Sequence, residues 1–143
     1  MILLDTNVIS EPLRFAPAPR VVEWLDVQLL ETLFLSVITV AELRFGVARL
    51  PSSRRRNSLT KQLETQVLPA FAGRVLNFDL AATQANAELM AKAQATGQAI
   101  GMADGMIAAI AKANGMTVAT RNVIPFNTAG VSLIDPQPDP QPA

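Results

Sequence analysis

Three carboxylates stand in settings where an acid invites explanation: Asp5 in "LLDTN", Glu42 in "TVAEL" and Asp104 in "GMADGMIAA". Each has an ordinary structural use. Asp5 can cap a helix that follows it. Thr39 and Glu42 fit a Thr-x-x-Glu capping box. Asp104 suits the first turn of a helix, where negative charge complements the macrodipole. Their joint placement suggests more. Asp5 closes the apolar run Ile2–Leu4, and Glu42 follows a second apolar run at short distance. Asp104 shares a helical face with Ile107, Ala108 and Ala111, at the i+3, i+4 and i+7 spacings. An acid at the head of an inward apolar face is costly unless something positive meets it. No Lys or Arg nearby in the sequence is an obvious partner for all three. A divalent cation is the economical solution, and carboxylate oxygens favour Mg²⁺ or Mn²⁺.

Composition narrows the chemistry. The 143 residues contain no Cys, no His and no Tyr. Disulfides, thiolate metal sites, Ser-His-Asp triads and His-ligated zinc or iron are therefore excluded. Carboxylates, hydroxyls, amides and Lys/Arg must carry any catalysis. Twelve acids balance twelve bases, so no global basic field announces nucleic acid. Half of the residues are hydrophobic and 17% charged, which argues for a packed core and against disorder. No apolar run reaches the ~18 residues of a membrane span. Only Ile2, Leu3 and Leu4 separate Met1 from Asp5, so no secretory leader is expected. The expectation is a cytoplasmic protein.

The elements that must position the acids follow from the apolar pattern. Strands are expected at Ile2–Leu4, Thr32–Ile38, Arg74–Phe78, Met116–Thr120 and Val131–Ile134. A short helical turn over Thr6–Leu13 should end near Pro12. Further helices should begin at Pro19 and Thr39. A solvent-exposed helix carries the thin stripe Leu59, Leu63, Val67 and stops at Pro69. Asp79 is placed to cap an Ala-rich helix closed by Gly97, and a second Ala-rich helix is closed by Gly115. Gly105 should let another backbone approach, at a helix-propensity cost of about 1 kcal/mol. This alternation implies an α/β domain with a mostly parallel sheet of about five strands and helices on both faces. Its ligands belong at the carboxyl ends of the strands. The domain spans residues 1–136. Residues 137–143 continue the repeated Asp-Pro-Gln-Pro and read as a disordered Pro-rich tail.

"MILLDTNVISEPLR", "LFLSVITVAELRFGVARLP" and "IGMADGMIAAIAKANGMTVATRN" together resemble PIN-domain ribonucleases, and within them toxins of the VapC/FitB type. The resemblance runs from Met1 to about Pro136. It implies a PIN-like fold in which Asp5, Glu42 and Asp104 gather around one or two Mg²⁺ or Mn²⁺ ions. It implies hydrolysis of RNA phosphodiester bonds to 5′-phosphate and 3′-hydroxyl ends. It also implies a homodimer and a small antitoxin with a DNA-binding portion, with no membrane involved. Many relatives add a fourth acid after the fourth strand, where this chain has Asn122 and, at another position, Pro125.

Supporting residues carry paired readings. Thr6 and Asn7 orient Asp5 or a water, or cap the helix start. Thr120 and Asn122 end the fourth strand and reach the same cleft. Arg121 holds a phosphate or is an exposed structural Arg. Arg54, Arg55 and Arg56 guide RNA or form a solvated helix face. Trp24 and Phe45 read as core packing. The stretches Val8–Leu13 and Val21–Leu25 wall a partner groove or are ordinary core. The alternative to a nuclease is an antitoxin-binding, co-repressing module with little hydrolysis. An Asp-nucleophile phosphotransferase is disfavoured because Asn7 occupies the second position of its Asp-x-Asp pattern. A receiver domain is disfavoured because it needs an acid pair near the first strand.

Overall fold

Short apolar, β-branched segments form strands, and each is followed by a segment of helical periodicity. The computed structural model describes residues 1–137. In chain order it contains β1 (Ile2–Leu4), α1 (Thr6–Ile9), a 3₁₀ turn (Glu11–Leu13), α2 (Pro19–Asp26), a second 3₁₀ turn (Leu30–Thr32), β2 (Leu33–Ser36) and α3 (Val37–Ala48). There follow α4 (Arg54–Gln62), a π-helical turn (Leu63–Val67), α5 (Leu68–Ala70), β3 (Val75–Leu76) and α6 (Leu80–Ala95). The chain continues with α7 (Met102–Ala113), β4 (Thr117–Ala119), α8 (Val123–Thr128) and β5 (Leu133–Ile134).

The strand order is β3-β2-β1-β4-β5, and every neighbouring pair is parallel. The chain builds outward from β1 through β2 to β3, then returns to the other side of β1 for β4 and β5. The order therefore reverses beside β1, and the crevice at the carboxyl end of such a reversal is where open α/β sheets bind ligands.

Side-chain alternation along the strands divides the core into two layers. Leu3 packs with Ile107, Ile110, Val118 and Phe126 on one side. Leu4 packs with Val8, Val21, Leu35, Leu43 and Leu63 on the other. Helices on both faces follow directly. Among the described residues, no helix is long and apolar enough to cross a membrane.

Several boundaries differ from expectation, each for a local reason. The helix after β2 starts at Val37, not Thr39, because Ser36 is its N-cap and accepts from the Thr39 amide at 3.1 Å. The Thr39–Glu42 capping box does not form. Val37 and Ile38 look like strand because they are β-branched and apolar. Pro69 does not stop its helix. The widened turn Leu63–Val67 removes the demand for a Pro69 N–H, and the helix runs on to Ala70. Helix α8 has no counterpart in the expected elements. Pro125 lies in its first turn, where proline is tolerated, and the fully buried Phe126 anchors it. At Gly105 the close neighbours are side chains rather than backbone: a Cβ there would fall 2.8 Å from Met90 Sδ and 3.3 Å from Asn86 Oδ1 of α6. Of the tail, Gln137 donates its N–H to Asp135 Oδ1 at 2.9 Å, and the remaining residues lie outside those described.

Candidate active site

The switch point receives side chains from four places in the chain. Asp5 follows β1, and Glu42 lies in α3 after β2. Asp104 lies in the first turn of α7, and Asn122 follows β4. With Thr6, Asn7 and Ser10 they line one open cleft of about 340 Å³. Larger clefts exist, including one of about 550 Å³ between Phe15 and Arg54–Arg55, but its lining holds no acid.

Asp5 is buried, at 4% exposure, and its backbone N–H extends the β1–β4 ladder to the Ala119 carbonyl. Its Oδ1 accepts from the Thr6 amide at 2.8 Å and its Oδ2 from the Thr120 hydroxyl at 2.8 Å. Asp5 therefore does cap α1, as its ordinary reading held, while also facing the cleft. Burial is the main reason its carboxyl is pushed up to about 6. The hydrogen bonds from Thr120 and Thr6 oppose that rise, and the charges of Asp104 and Glu42 add to it. The Asp104 carboxyl is also raised, first by burial and then by the charge of Glu42.

The remaining acids are held by neutral donors. Glu42 Oε1 accepts from the Thr6 hydroxyl at 2.7 Å. Asp104 Oδ2 accepts from the Asn122 amide nitrogen at 3.2 Å. Asn122 is the N-cap residue of α8, yet its side chain makes no capping bond; it turns to the acids. Among the described residues none of the three acids has an ion-pair partner.

The donor set suits a hard divalent cation, since it is oxygen throughout. Among the described residues no three acids stand close enough to close around one ion as they are placed. That is compatible with Mg²⁺, which keeps several waters and is commonly bound by one or two carboxylates plus phosphate oxygens rather than by an all-protein cage.

The arginines are not brought to the cleft. Arg121 pairs with Glu11 Oε2 at 2.7 Å, and its amide donates to Asn7 Oδ1 at 3.2 Å. It is a tether between the loop after β4 and the start of the chain. Its partner Glu11, buried at 2% exposure, escaped the sequence reading; it also accepts from the Ala18 amide at 2.7 Å. Arg54 and Arg55 line the separate cleft with Phe15, where the Arg55 guanidinium sits 5.9 Å from the ring centroid. Arg56 lines a third cleft with Arg44 and Glu64. Trp24 packs at the edge of the second core layer, whereas Phe45 is 68% exposed, contrary to its expected burial. It lies at i+3 from Glu42, on the face of α3 that Glu42 shares. Of the stretches Val8–Leu13 and Val21–Leu25, Val8 and Val21 are fully buried core, whereas Pro12 and Leu13 line the cleft beside Phe15 and Arg54–Arg55. Ser10 was also missed, although its i+4 spacing from Thr6 places both on one face of the short helix.

The PIN domain family matches residues 2–130 of this chain. A plasmid stability protein StbB from Pseudomonas syringae pv. tomato is 58% identical over 95% of this chain and 98% of its own. VapC ribonuclease Y4jK from Sinorhizobium fredii is 55% identical over 95% of this chain and 97% of its own. Toxin FitB from Neisseria gonorrhoeae is 51% identical over 97% of this chain and 100% of its own. Among solved structures, FitAcB from Neisseria gonorrhoeae superposes with a TM-score of 0.92 at 51% identity, covering 95% of this chain and 98% of the other. DNA-bound VapBC2 from Rickettsia felis superposes with a TM-score of 0.73 at 26% identity, covering 94% and 98%.

Proposed function

The chain belongs to the PIN-domain family, and from that premise we propose that it is a Mg²⁺- or Mn²⁺-dependent endoribonuclease, the toxin of a toxin–antitoxin pair. The observation that carries the reading is the convergence of Asp5, Glu42 and Asp104 on one cleft with no basic partner among the described residues. A capping role accounts for Asp5 only in part, and for Glu42 not at all.

A divalent ion bound there would supply a water of lowered pKa and positive charge to offset the negative charge that builds on the phosphate. The chain's own residues prepare the place. Thr120 and the Thr6 amide hold Asp5 between them. Thr6 directs one oxygen of Glu42, and Asn122 steadies Asp104. Asn122 contributes an amide where a fourth acid would add charge, so three carboxylates form the whole acidic set. The absence of His is no obstacle, because no protein imidazole is required for the proton chemistry.

Relatives named VapC ribonuclease and Toxin FitB, and solved FitAB and VapBC complexes bound to DNA, support a cognate antitoxin with a DNA-binding portion; a homodimer and a cytoplasmic setting belong to the same proposal. RNA incubated with purified protein should be cut with Mg²⁺ or Mn²⁺ and left intact with EDTA. It should also be left intact by Asp5→Asn protein that is folded by circular dichroism. Cleavage that persists in EDTA or in that variant would refute the assignment.

A further inference from the structure

We propose that Ser36, Thr39 and Thr6 form a one-way chain of hydroxyl hydrogen bonds that fixes the Glu42 carboxylate, leaving its Oε2 free for the cleft. The proposal rests on the reading of the cleft as a divalent-cation site, and it assigns positioning residues to it.

The direction follows from counting protons. The Thr6 hydroxyl lies 2.7 Å from Glu42 Oε1 and 3.1 Å from Thr39 Oγ1. A hydroxyl has one proton to give, and an ionised carboxylate can only accept. The shorter, charge-assisted bond takes the Thr6 proton. The Thr6–Thr39 contact must then be carried by the Thr39 proton. With that proton committed, the 3.4 Å contact between Thr39 and Ser36 is carried by the Ser36 proton. Ser36 Oγ meanwhile accepts from the Thr39 amide at 3.1 Å, which uses a lone pair and leaves its proton free for this role. Every link is then determined: Ser36 donates to Thr39, Thr39 to Thr6, and Thr6 to Glu42.

Burial makes the chain depend on protein groups. Ser36 and Thr39 are fully buried, so bulk water cannot replace either hydroxyl. The helix cap requires Ser36 Oγ and the Thr39 amide only. The Thr39 hydroxyl is not needed for it, and its two contacts both lie within the chain. Glu42 itself is on the exposed side of α3, where an untethered Glu samples many rotamers. Donation from a polarised series of hydroxyls strengthens the last bond and joins the end of β2, helix α3 and helix α1 at one oxygen. The spacing Ser36, Thr39, Glu42 repeats every three residues, which keeps all three near one side of the helix.

The test is calorimetric titration of Mn²⁺ alone into full-length protein. Thr39→Val removes the hydroxyl at nearly constant shape and should weaken Mn²⁺ binding ~10-fold, at the lower end of the range for groups that support metal ligands. Thr39→Ser should bind like wild type. Thr6→Val should show at least the same loss, rescued by Thr6→Ser, and it keeps the test available if Thr39→Val fails to fold. If Thr39 acts only through Thr6, adding Thr39→Val to Thr6→Val should cost nothing further. Equal Mn²⁺ affinity in wild type and both Val variants overturns the chain while leaving the metal site standing. So does a loss that Ser does not restore, or a fully additive double variant. Wild-type protein that binds no Mn²⁺ overturns the metal site as well.

Discussion

Replacing Asp5 by Asn should stabilise the metal-free protein near neutral pH, because the native fold holds this carboxylate against its ionisation preference. Its carboxyl is pushed up from 3.8 to about 6. At 1.36 kcal/mol per unit, a difference of about 2 units corresponds to about 3 kcal/mol by which the ionised form is disfavoured in the native state. The sign follows from proton binding. Between these two values the native state holds more proton than the unfolded chain. This stabilising share is complete below about 3.8 and is lost as pH rises through about 6. Asn removes the charge but turns an N–H₂ toward the Thr120 hydroxyl, which now donates to Oδ2 at 2.8 Å. Losing that bond costs ~1–2 kcal/mol, so the net gain is ~1–2 kcal/mol, or ~2–8 °C in Tm for a chain of this size. Thermal unfolding in EDTA should therefore show Asp5→Asn melting above wild type at pH 7.5. The gap should close as pH falls toward 4. A variant that melts at or below wild type at pH 7.5, or a gap that does not change with pH, would refute the burial argument.

Four other outcomes are expected. Mg²⁺ or Mn²⁺ should raise the wild-type Tm and leave the Asp5→Asn/Asp104→Asn protein unmoved, which differential scanning calorimetry would show. Asn122→Asp sets a second carboxylate where an amide now meets Asp104 at 3.2 Å. It should lower the metal-free Tm and tighten Mn²⁺ binding ~10-fold by titration. Arg121→Met takes from the buried Glu11 its 2.7 Å partner and leaves it the Arg14 guanidinium at 3.5 Å and the Ala18 amide. It should therefore cost ~1–2 kcal/mol in urea unfolding, below the full penalty of an uncompensated buried charge, whereas an Arg that merely held phosphate would leave stability unchanged. Phe45→Ala should leave stability within ~0.5 kcal/mol, since the ring is 68% exposed, while raising KM for RNA if the ring stacks on a base beside Glu42.

What could be read from the sequence was whatever depends on local pattern. The alternation of apolar strands with helical stretches sufficed for a parallel sheet with two covered faces, because each strand needed burial on both sides. Asp5 and Glu42 were also accessible, since β1 ends at one and β2 shortly precedes the other. Asp104 follows helix α6 rather than a strand, and was reached through the apolar face it shares with Ile107, Ala108 and Ala111 and through the family resemblance. Pairings across long separations were not accessible. Thr120 meets Asp5 across 115 positions and Arg121 meets Glu11 across 110. No periodicity encodes such contacts. They depend on β4 lying beside β1, which only the completed sheet determines.

Glu42 shows why the distinction matters for function. As the fourth residue of a Thr-x-x-Glu pattern it has a sufficient local explanation, and that explanation is wrong. Ser36, at the last position of β2, takes the cap and moves the helix start back to Val37. The shift leaves the Glu42 carboxylate without a backbone amide to satisfy. The donor it has is the Thr6 hydroxyl, which is the residue after Asp5. One short segment, Asp5–Thr6, thereby touches both ends of the site: the Thr6 amide holds Asp5 and the Thr6 hydroxyl holds Glu42. Two acids that would otherwise repel are kept at a common cleft by a single neutral residue, a better choice than a Lys or Arg, whose charge would occupy the place a cation needs.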